Sequence, residues 1–257
     1  MQLAILASLS LGLSISAACD GPHAWLGETR VSTPDDLAKL SGVHEIQGNL
    51  SIKCKSCDSL EALSSLRFLE GGLLLEGNDQ LIDLSGLEGL SIAGGLSIRH
   101  NQNLVDLSQL NHSQPAEISI IGNNSLTEIN GFNLPEEAWS ITISTNDSLE
   151  AISGFRKLKS IDGTLLILSN PRLTDVSGLT QLRSAGKISI GANALLETVE
   201  GIAGVETVEG DLLLSELSPC ADVTMRDLIG IENIGGQFPT DCSCPDGAWE
   251  SVEGTCN

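Results

Sequence analysis

The stretch Leu-Leu-Leu-Glu-Gly-Asn-Asp-Gln-Leu-Ile-Asp-Leu, residues 73–84, contains the pattern that decides the fold. Leu73 and Leu75 alternate as on a strand with one buried face, Asn78 follows three residues later, and leucines return at 81 and 84. Residues 96–107, Leu-Ser-Ile-Arg-His-Asn-Gln-Asn-Leu-Val-Asp-Leu, repeat the frame with the asparagine at 101. This recurrence predicts a repeat protein.

The asparagine position recurs at nearly constant spacing along the chain. It is occupied by Asn78, Asn101, Asn123, Asn146, Asn170 and Asn193. Periods of roughly 20–29 residues are typical of leucine-rich solenoids, in which stacked turns bury the apolar edge that one turn alone leaves exposed. An asparagine amide carries an acceptor and two donors, so it can satisfy backbone groups where the chain turns inward. We therefore predict a buried asparagine ladder along a solenoid.

The frame is imperfect at both ends of the repeat. Upstream, Leu50 and Ile52 match it, and Cys57 takes the asparagine position after a two-residue insertion. Downstream, Leu217 takes that position just before Pro219 and Cys220 end the pattern. Including these two ends, we predict about eight turns over residues 46–217, with atypical terminal turns of the kind that cap a solenoid.

The flanking segments are predicted to be a signal peptide and two caps. Ser32–Leu37 is typical of a helix start, with Ser or Thr near the N-cap and acidic residues in the first turn. We assign residues 1–18 to the signal peptide and residues 19–45 to an N-terminal segment with this cap helix. Residues 218–257, which contain four cysteines, are assigned to a C-terminal cap.

A second strand-like motif precedes the asparagine-bearing strand, for example at Ile161-Asp162-Gly163 and Val208-Glu209-Gly210. Over about residues 37–217 the combined unit resembles the receptor L domain, the leucine-rich module of the insulin and epidermal growth factor receptors and of many bacterial surface proteins. The resemblance implies a mainly β, right-handed β-helix-like solenoid with short parallel sheets around a flattened core. It does not imply growth-factor binding, because those receptors bind through surface residues that the motif does not specify.

The composition limits the partners of the chain. Its 257 residues include 13 Lys and Arg against 34 Asp and Glu, a net charge of −21. Such a field repels phosphate backbones and anionic lipid, so neither nucleic-acid binding nor a polybasic membrane contact is expected. Aromatic residues make up only 3% of the chain, which favours a core of stacked aliphatic layers.

The N-terminus has the character of an export signal. Leu3 to Ile15 is an apolar run too short to span a bilayer but suited to the hydrophobic region of a signal peptide. The small residues Ser16, Ala17 and Ala18 then suit a signal peptidase. We expect the mature protein to be exported and not to be an integral membrane protein.

The seven cysteines indicate an anchor and three disulfides. Cys19 follows the small residues and resembles the lipid-accepting cysteine of bacterial lipoproteins, which predicts a cell-surface or outer-membrane lipoprotein. The alternative is simple cleavage before Cys19 and secretion, so any membrane contact depends on a lipid at Cys19. Cys54 and Cys57 are expected to form a short staple rather than a redox or zinc site. The other four, Cys220, Cys242, Cys244 and Cys256, are expected to form two bridges of undetermined pairing.

The sequence contains no recognisable catalytic constellation. His23, His44, His100 and His112 lie in no zinc-protease motif or nucleophile elbow, and no glycine-rich phosphate loop precedes a helix. We therefore expect no cofactor and no metal site. The scattered carboxylates leave a glycosidase-type pair open, so a carbohydrate-active enzyme on a β-helix remains an alternative.

The outward positions of the regular strands are nearly uncharged in a strongly acidic chain. Ile121, Leu166 and Leu168 are expected to be exposed aliphatics there, and an apolar patch rimmed by polar residues marks an interaction site. The opposing interpretation is an ordinary solvated face whose leucines are covered by a loop or cap. We predict a non-catalytic exported or surface-bound binding or adhesion protein for a protein or glycan partner; a purely structural envelope protein is a further alternative. The candidate binding residues are Leu74, Arg99, Ile121, Leu166 and Leu168.

Overall fold

A computed structural model describes residues 24–113, 115–132, 136–217 and 233–234. The protein is mainly β, with parallel strands stacked as a solenoid of about eight turns, which confirms the predicted fold class. The predicted signal peptide, the lipidation site Cys19 and the four C-terminal cysteines lie outside the described residues. Within the part of the chain that the structure describes, no helix is long and apolar enough to cross a membrane.

The described elements are short strands, one α-helix and four 3-10 turns. The strands are β1 (Ala24–Leu26), β2 (Thr29–Val31), β3 (Glu45–Gln47), β4 (Leu50–Ile52), β5 (Phe68–Leu69), β6 (Leu73–Glu76), β7 (Ser91–Ile92), β8 (Leu96–Arg99), β9 (Glu117–Ile121), β10 (Glu128–Ile129), β11 (Glu137–Ala138), β12 (Ser140–Ser144), β13 (Ala151–Ile152), β14 (Ser160–Leu168), β15 (Ser184–Asn193), β16 (Thr207–Val208), β17 (Leu212–Leu217) and β18 (Asn233–Ile234). The helix α1 is Pro34–Ala38, and the 3-10 turns are Glu61–Leu63, Ser108–Leu110, Ser177–Leu179 and Glu200–Ile202.

Each turn of the solenoid adds one strand to a long parallel sheet, which we call the long-strand sheet. Its order is β2, β4, β6, β8, β9, β12, β14, β15 and β17, and equivalent residues of successive turns lie in register. Leu73 and Leu75, for example, pair with Leu96 and Ile98. These aliphatic residues are at most 1% exposed, because alternate side chains of each strand point into the core.

Two further sides close the core. The short strands β1, β3, β5 and β7 form a second parallel sheet, and later in the chain β11 and β16 pair with the N-terminal ends of β14 and β15. The third side consists of the 3-10 turns and the short β10–β13 pair. Successive turns meet so closely at the corner before the long strand that a Cβ on Gly71 would clash with the Gly48 carbonyl oxygen. Glycine is therefore required at this corner.

The structure places the six asparagines in one ladder, and all of them are fully buried. Asn101 shows the pattern: its Oδ1 accepts from the backbone N–H of Asn78 at 2.9 Å, and its Nδ2 donates to the Leu75 carbonyl at 3.1 Å. The same two bonds recur at each ladder position from Asn78 to Asn193, each made to the preceding turn. Each amide thus satisfies backbone groups that would otherwise be buried without a partner.

The residue before every ladder asparagine has a left-handed backbone, a feature that the sequence analysis did not predict. The φ angles lie between 52° and 66° at Gly77, His100, Gly122, Thr145, Ser169 and Ala192. Glycine adopts this conformation readily, whereas other residues pay about 1–2 kcal/mol for it. The ladder geometry is therefore imposed on four non-glycine residues by the turns around them.

The first long strand of the repeat ends differently, in the predicted Cys54–Cys57 disulfide, which is confirmed with a Cα–Cα distance of 5.3 Å. The assignment of Cys57 to the asparagine position is corrected by the hydrogen bonds. It is the Cys54 backbone N–H that donates to Asn78 Oδ1, at 2.7 Å. After Cys54 the inserted residues depart from the ladder position, and the chain reaches the core again at the buried side chain of Cys57. Counting residues along the repeat frame therefore assigned the ladder position to the wrong cysteine.

The N-terminal end carries the expected helix. Thr33 is the N-cap of α1, and Thr33 and Asp36 form a reciprocal capping box. A hydrogen bond from Lys39, followed by that from Thr33, lowers the pKa of Asp36 to about 2. The parallel stack also extends upstream of residue 46, because β1 pairs with β3 and β2 pairs with β4.

Candidate binding face

The five candidate residues all lie on the outward surface of the long-strand sheet, which we call the long-strand face. Leu74 and Leu166 belong to one column across the strands, separated by Ser97, Ser119 and Thr142. Arg99, Ile121 and Leu168 belong to the neighbouring column, in which Ser144 separates Ile121 from Leu168. The structure therefore groups Ile121, Leu166 and Leu168 around two small hydroxyl side chains and leaves Leu74 nearer the N-terminal end.

The expectation that Ile121, Leu166 and Leu168 are exposed is wrong, because the structure leaves them half-buried. Neighbouring strands lie about 4.8 Å apart, so side chains of one column cover each other's flanks. Leu168 additionally leans over the buried Gly191, where its Cδ2 would lie about 3.3 Å from an added Cβ. The three residues therefore present partial apolar surface rather than protruding side chains.

The exposed large apolar side chains of the described residues lie off this face. Ile82 and Val105, which are 60% and 43% exposed, follow Leu81 and Leu104 in successive turns, where the Val105 N–H donates to the Ile82 carbonyl. Trp139, 60% exposed, lies at the corner before β12. The sequence did not predict them, because the repeat frame identifies only the positions that point inward. It does not show which outward side chains are covered by their neighbours.

Charged residues on the long-strand face are mostly balanced by neighbours. Lys53 Nζ lies 2.6 Å from Glu76 Oε2, and this hydrogen bond is the main reason that the pKa of Glu76 is lowered. Arg99 donates to the hydroxyl of Ser119 at 3.2 Å. At the other end of the sheet, Lys187 and Asp211 form a pair at 3.0 Å. A face with balanced charge on a chain of net charge −21 is a local departure from the rest of the protein.

The long-strand face is extended and carries a depression at one end. From β2 to β17 it spans roughly 38 Å at about 4.8 Å per strand. At its N-terminal end a depression of about 510 Å³ is bounded by Arg30, Lys53, Leu74 and Asn49, among others. Of the five candidate residues, Leu74 alone lines this depression, so it forms a subsite apart from the Ile121–Leu168 centre.

Potential metal-ligating side chains do not cluster on the described part of this face. Among residues 24–113, 115–132, 136–217 and 233–234, no three His, Cys, Asp or Glu side chains come together as a metal site requires. His112 Nδ1 lies 2.8 Å from the Glu88 carbonyl oxygen, and His100 lies against Gly122 in a left-handed turn. The arrangement offers contact surface and hydrogen bonding.

Comparison with protein-family models, with curated proteins and with solved structures finds no match.

Proposed function

We propose that the protein is a non-catalytic binding protein that recognises a protein or glycan partner through the long-strand face. The observation that carries this proposal is the centre of the face, where Ile121, Leu166 and Leu168 surround Ser144 and Thr142 in register. Partial aliphatic surface beside small hydroxyl groups is suited to contact with a partner that is neither strongly charged nor deeply concave.

The cost of covering this face is low. The backbone groups of the central strands are paired within the parallel sheet, so a partner displaces little water from them. The short side chains Ser144 and Thr142 lose little conformational entropy on contact. Two ion pairs, Lys53 with Glu76 and Lys187 with Asp211, lie toward the two ends of the face and form a rim, and Arg99 lies beside Ile121. An apolar centre with a polar rim is the usual anatomy of an interface.

The proposed location is outside the cell. The apolar segment Leu3 to Ile15 and the small residues before Cys19 support export as a surface lipoprotein, and the repeat unit supports a receptor L-domain-like module. Metabolic labelling with a fatty acid tests the anchor: label that is lost in Cys19→Ser is expected, and label that persists contradicts it.

The binding face is tested by adding charge at its centre. The double variant Ile121→Glu with Leu168→Glu is expected to reduce retention of the labelled protein on cells of the source organism at least tenfold. Ile82→Glu with Val105→Glu is the matched control, because it adds the same charge at exposed sites off the face. Thermal unfolding of both variants checks that the fold persists.

Two results would count against the proposal. If the Ile121–Leu168 variant is retained as well as the parent, the long-strand face is not the binding surface. If the purified protein releases products from a panel of polysaccharides, it is an enzyme and the non-catalytic assignment fails.

A further inference from the structure

A second surface feature spans three successive turns and lies off the long-strand face. It is a depression of about 600 Å³ lined by the cations Arg156, Lys157 and Lys159 and, from the next turn, by Ser177 and Thr180. We call it the basic depression. Glu136, from the preceding turn, is the acidic residue among those that line it.

The charge of this depression contrasts with that of the whole chain. Three of the 13 Lys and Arg residues fall within residues 156–159, in a protein whose net charge is −21. The acidic field of the molecule opposes long polyanions, but it is screened beyond about 8 Å at physiological ionic strength. The basic depression is therefore suited to a short anionic ligand rather than to a nucleic acid.

Hydrogen bonds within the protein hold the lining residues in place. Arg156 Nε donates to the Ser153 carbonyl at 3.1 Å, and Lys159 Nζ lies 2.8 Å from Glu136 Oε1. The backbone N–H of Lys159 donates to the Glu136 carbonyl at 2.6 Å, which fixes the two turns relative to each other. Arg183 Nη1 donates to the carbonyl of the lining residue Thr180 at 3.1 Å.

The two hydroxyl groups select the kind of anion. Ser177 Oγ donates its proton to Asp175 Oδ2 at 3.1 Å, and Thr180 Oγ1 donates its proton to the Ser177 carbonyl at 3.0 Å. With their protons committed, both oxygens act toward a ligand as acceptors. A sulfate dianion has no proton to donate to them, whereas a sugar has several hydroxyl donors beside its charged substituent.

We propose that the basic depression binds an anionic saccharide, a sugar bearing sulfate or carboxylate groups. The charged groups contact Arg156, Lys157 and Lys159, and sugar hydroxyls donate to Ser177 and Thr180. The carboxamide of Gln181, which also lines the depression, supplies a further donor and acceptor. This site is separate from the long-strand face and does not depend on the function proposed for that face.

Isothermal titration calorimetry with a sulfated heparin tetrasaccharide tests the site at near-physiological ionic strength. The triple variant Arg156→Gln, Lys157→Gln, Lys159→Gln is expected to weaken binding at least tenfold. The control triple variant Lys39→Gln, Lys55→Gln, Arg172→Gln removes the same charge at exposed positions elsewhere and is expected to stay within twofold of the parent. Equal weakening in both variants would show a general charge effect and overturn the site.

Three further arms separate the sources of affinity. Glu136→Gln removes the acidic lining residue and releases Lys159, so it is expected to tighten tetrasaccharide binding severalfold; unchanged affinity would contradict the assigned contacts.

Neutral cellotetraose is expected not to compete with the heparin tetrasaccharide for the basic depression. If inorganic sulfate or an acidic peptide of the same charge competes as well as the tetrasaccharide, the saccharide assignment is overturned. The Ile121→Glu, Leu168→Glu variant is expected to retain tetrasaccharide binding, which keeps the two proposals distinguishable.

Discussion

The central turns and the first turn of the repeat end their long strands in different ways. In a central turn, a left-handed residue such as Thr145 leads into a buried asparagine. In the first turn, the strand runs into the Cys54–Cys57 disulfide, and the Cys54 backbone N–H donates to Asn78.

The difference shows that each ladder asparagine satisfies backbone hydrogen-bonding groups of the turn before it. Asn101 accepts from Asn78 and donates to Leu75, so its amide satisfies backbone groups of the preceding turn. The first turn is served by Asn78 and needs only a backbone N–H in the right place, which any residue other than proline can supply. A cysteine is therefore tolerated where the ladder begins, although the same change within the ladder would leave buried groups without partners.

The largest expected effect comes from breaking a central turn. Asn170→Leu removes the Oδ1 that accepts from Asn146 and the Nδ2 that donates to the Ile143 carbonyl, all of them buried. Because each buried group left without a partner costs about 1–3 kcal/mol, we expect a loss of about 3–5 kcal/mol in the free energy of unfolding. Urea unfolding measures it, with the exposed Asn103→Leu as the control.

An unchanged midpoint for Asn170→Leu would contradict the ladder. A loss of equal size in Asn103→Leu would show that the effect of leucine is general rather than specific to buried asparagines.

The next effect concerns the first turn. Cys54→Ala with Cys57→Ala opens a short disulfide loop, and the chain-entropy account gives a loss of about 2 kcal/mol for a loop of this size. The backbone bond from residue 54 to Asn78 survives this change. We therefore expect the double variant to lose less stability than Asn170→Leu in the same urea experiment. A loss as large as that of Asn170→Leu would mean that the cysteine side chains, and not the backbone N–H, sustain the first turn.

A smaller effect is expected at the helix that covers the first turn. Thr33→Ala removes the N-cap bond of α1 and should cost about 1 kcal/mol at pH 7, as measured by chemical unfolding.

The contribution of Asp36 to this cap should depend on pH. Its pKa falls from 3.8 to about 2 in the folded protein, so the ionised carboxylate stabilises the fold above pH 3.8, and this contribution is lost as the pH falls through about 2. The stability difference between the parent and Asp36→Asn should therefore be largest at neutral pH and shrink between those two values. A difference that stays constant from pH 7 to pH 2 would contradict the capping box.

The smallest expected effect is a gain in stability from a substitution in a central turn. Thr145 has a φ of 53°, so Thr145→Gly relieves left-handed strain of about 1–2 kcal/mol at an entropic cost of about 0.5–1 kcal/mol. A net stabilisation of about 0.5 kcal/mol should appear as a raised melting temperature. Thr142→Gly, in the extended part of the same strand, is the control and should destabilise the protein. If both substitutions destabilise equally, the left-handed residue carries no strain.

The regular parts of the fold were predictable because their signal repeats. The inward pairs such as Leu73 and Leu75, the asparagine ladder and the N-cap at Thr33 each follow from residue type and spacing. The strands β1 and β2 were not predicted, because three-residue strands before the first complete frame carry no periodic signal. The choice of Cys54 over Cys57 also required the structure, since an insertion breaks the register that counting depends on.

The sequence by itself determined the period and the buried positions, because these depend on residues close together within each turn. The parallel stacking was implied only by the resemblance to the receptor L domain, and the structure confirms it. The tertiary structure decided what is exposed and which side chains meet. Ile121 and Leu168 are half-buried because neighbours from adjacent strands cover them, and the basic depression joins Glu136, Lys159 and Thr180 from three successive turns. Such neighbours are a full repeat apart in the chain, so only the stacking of one turn on the next brings them together.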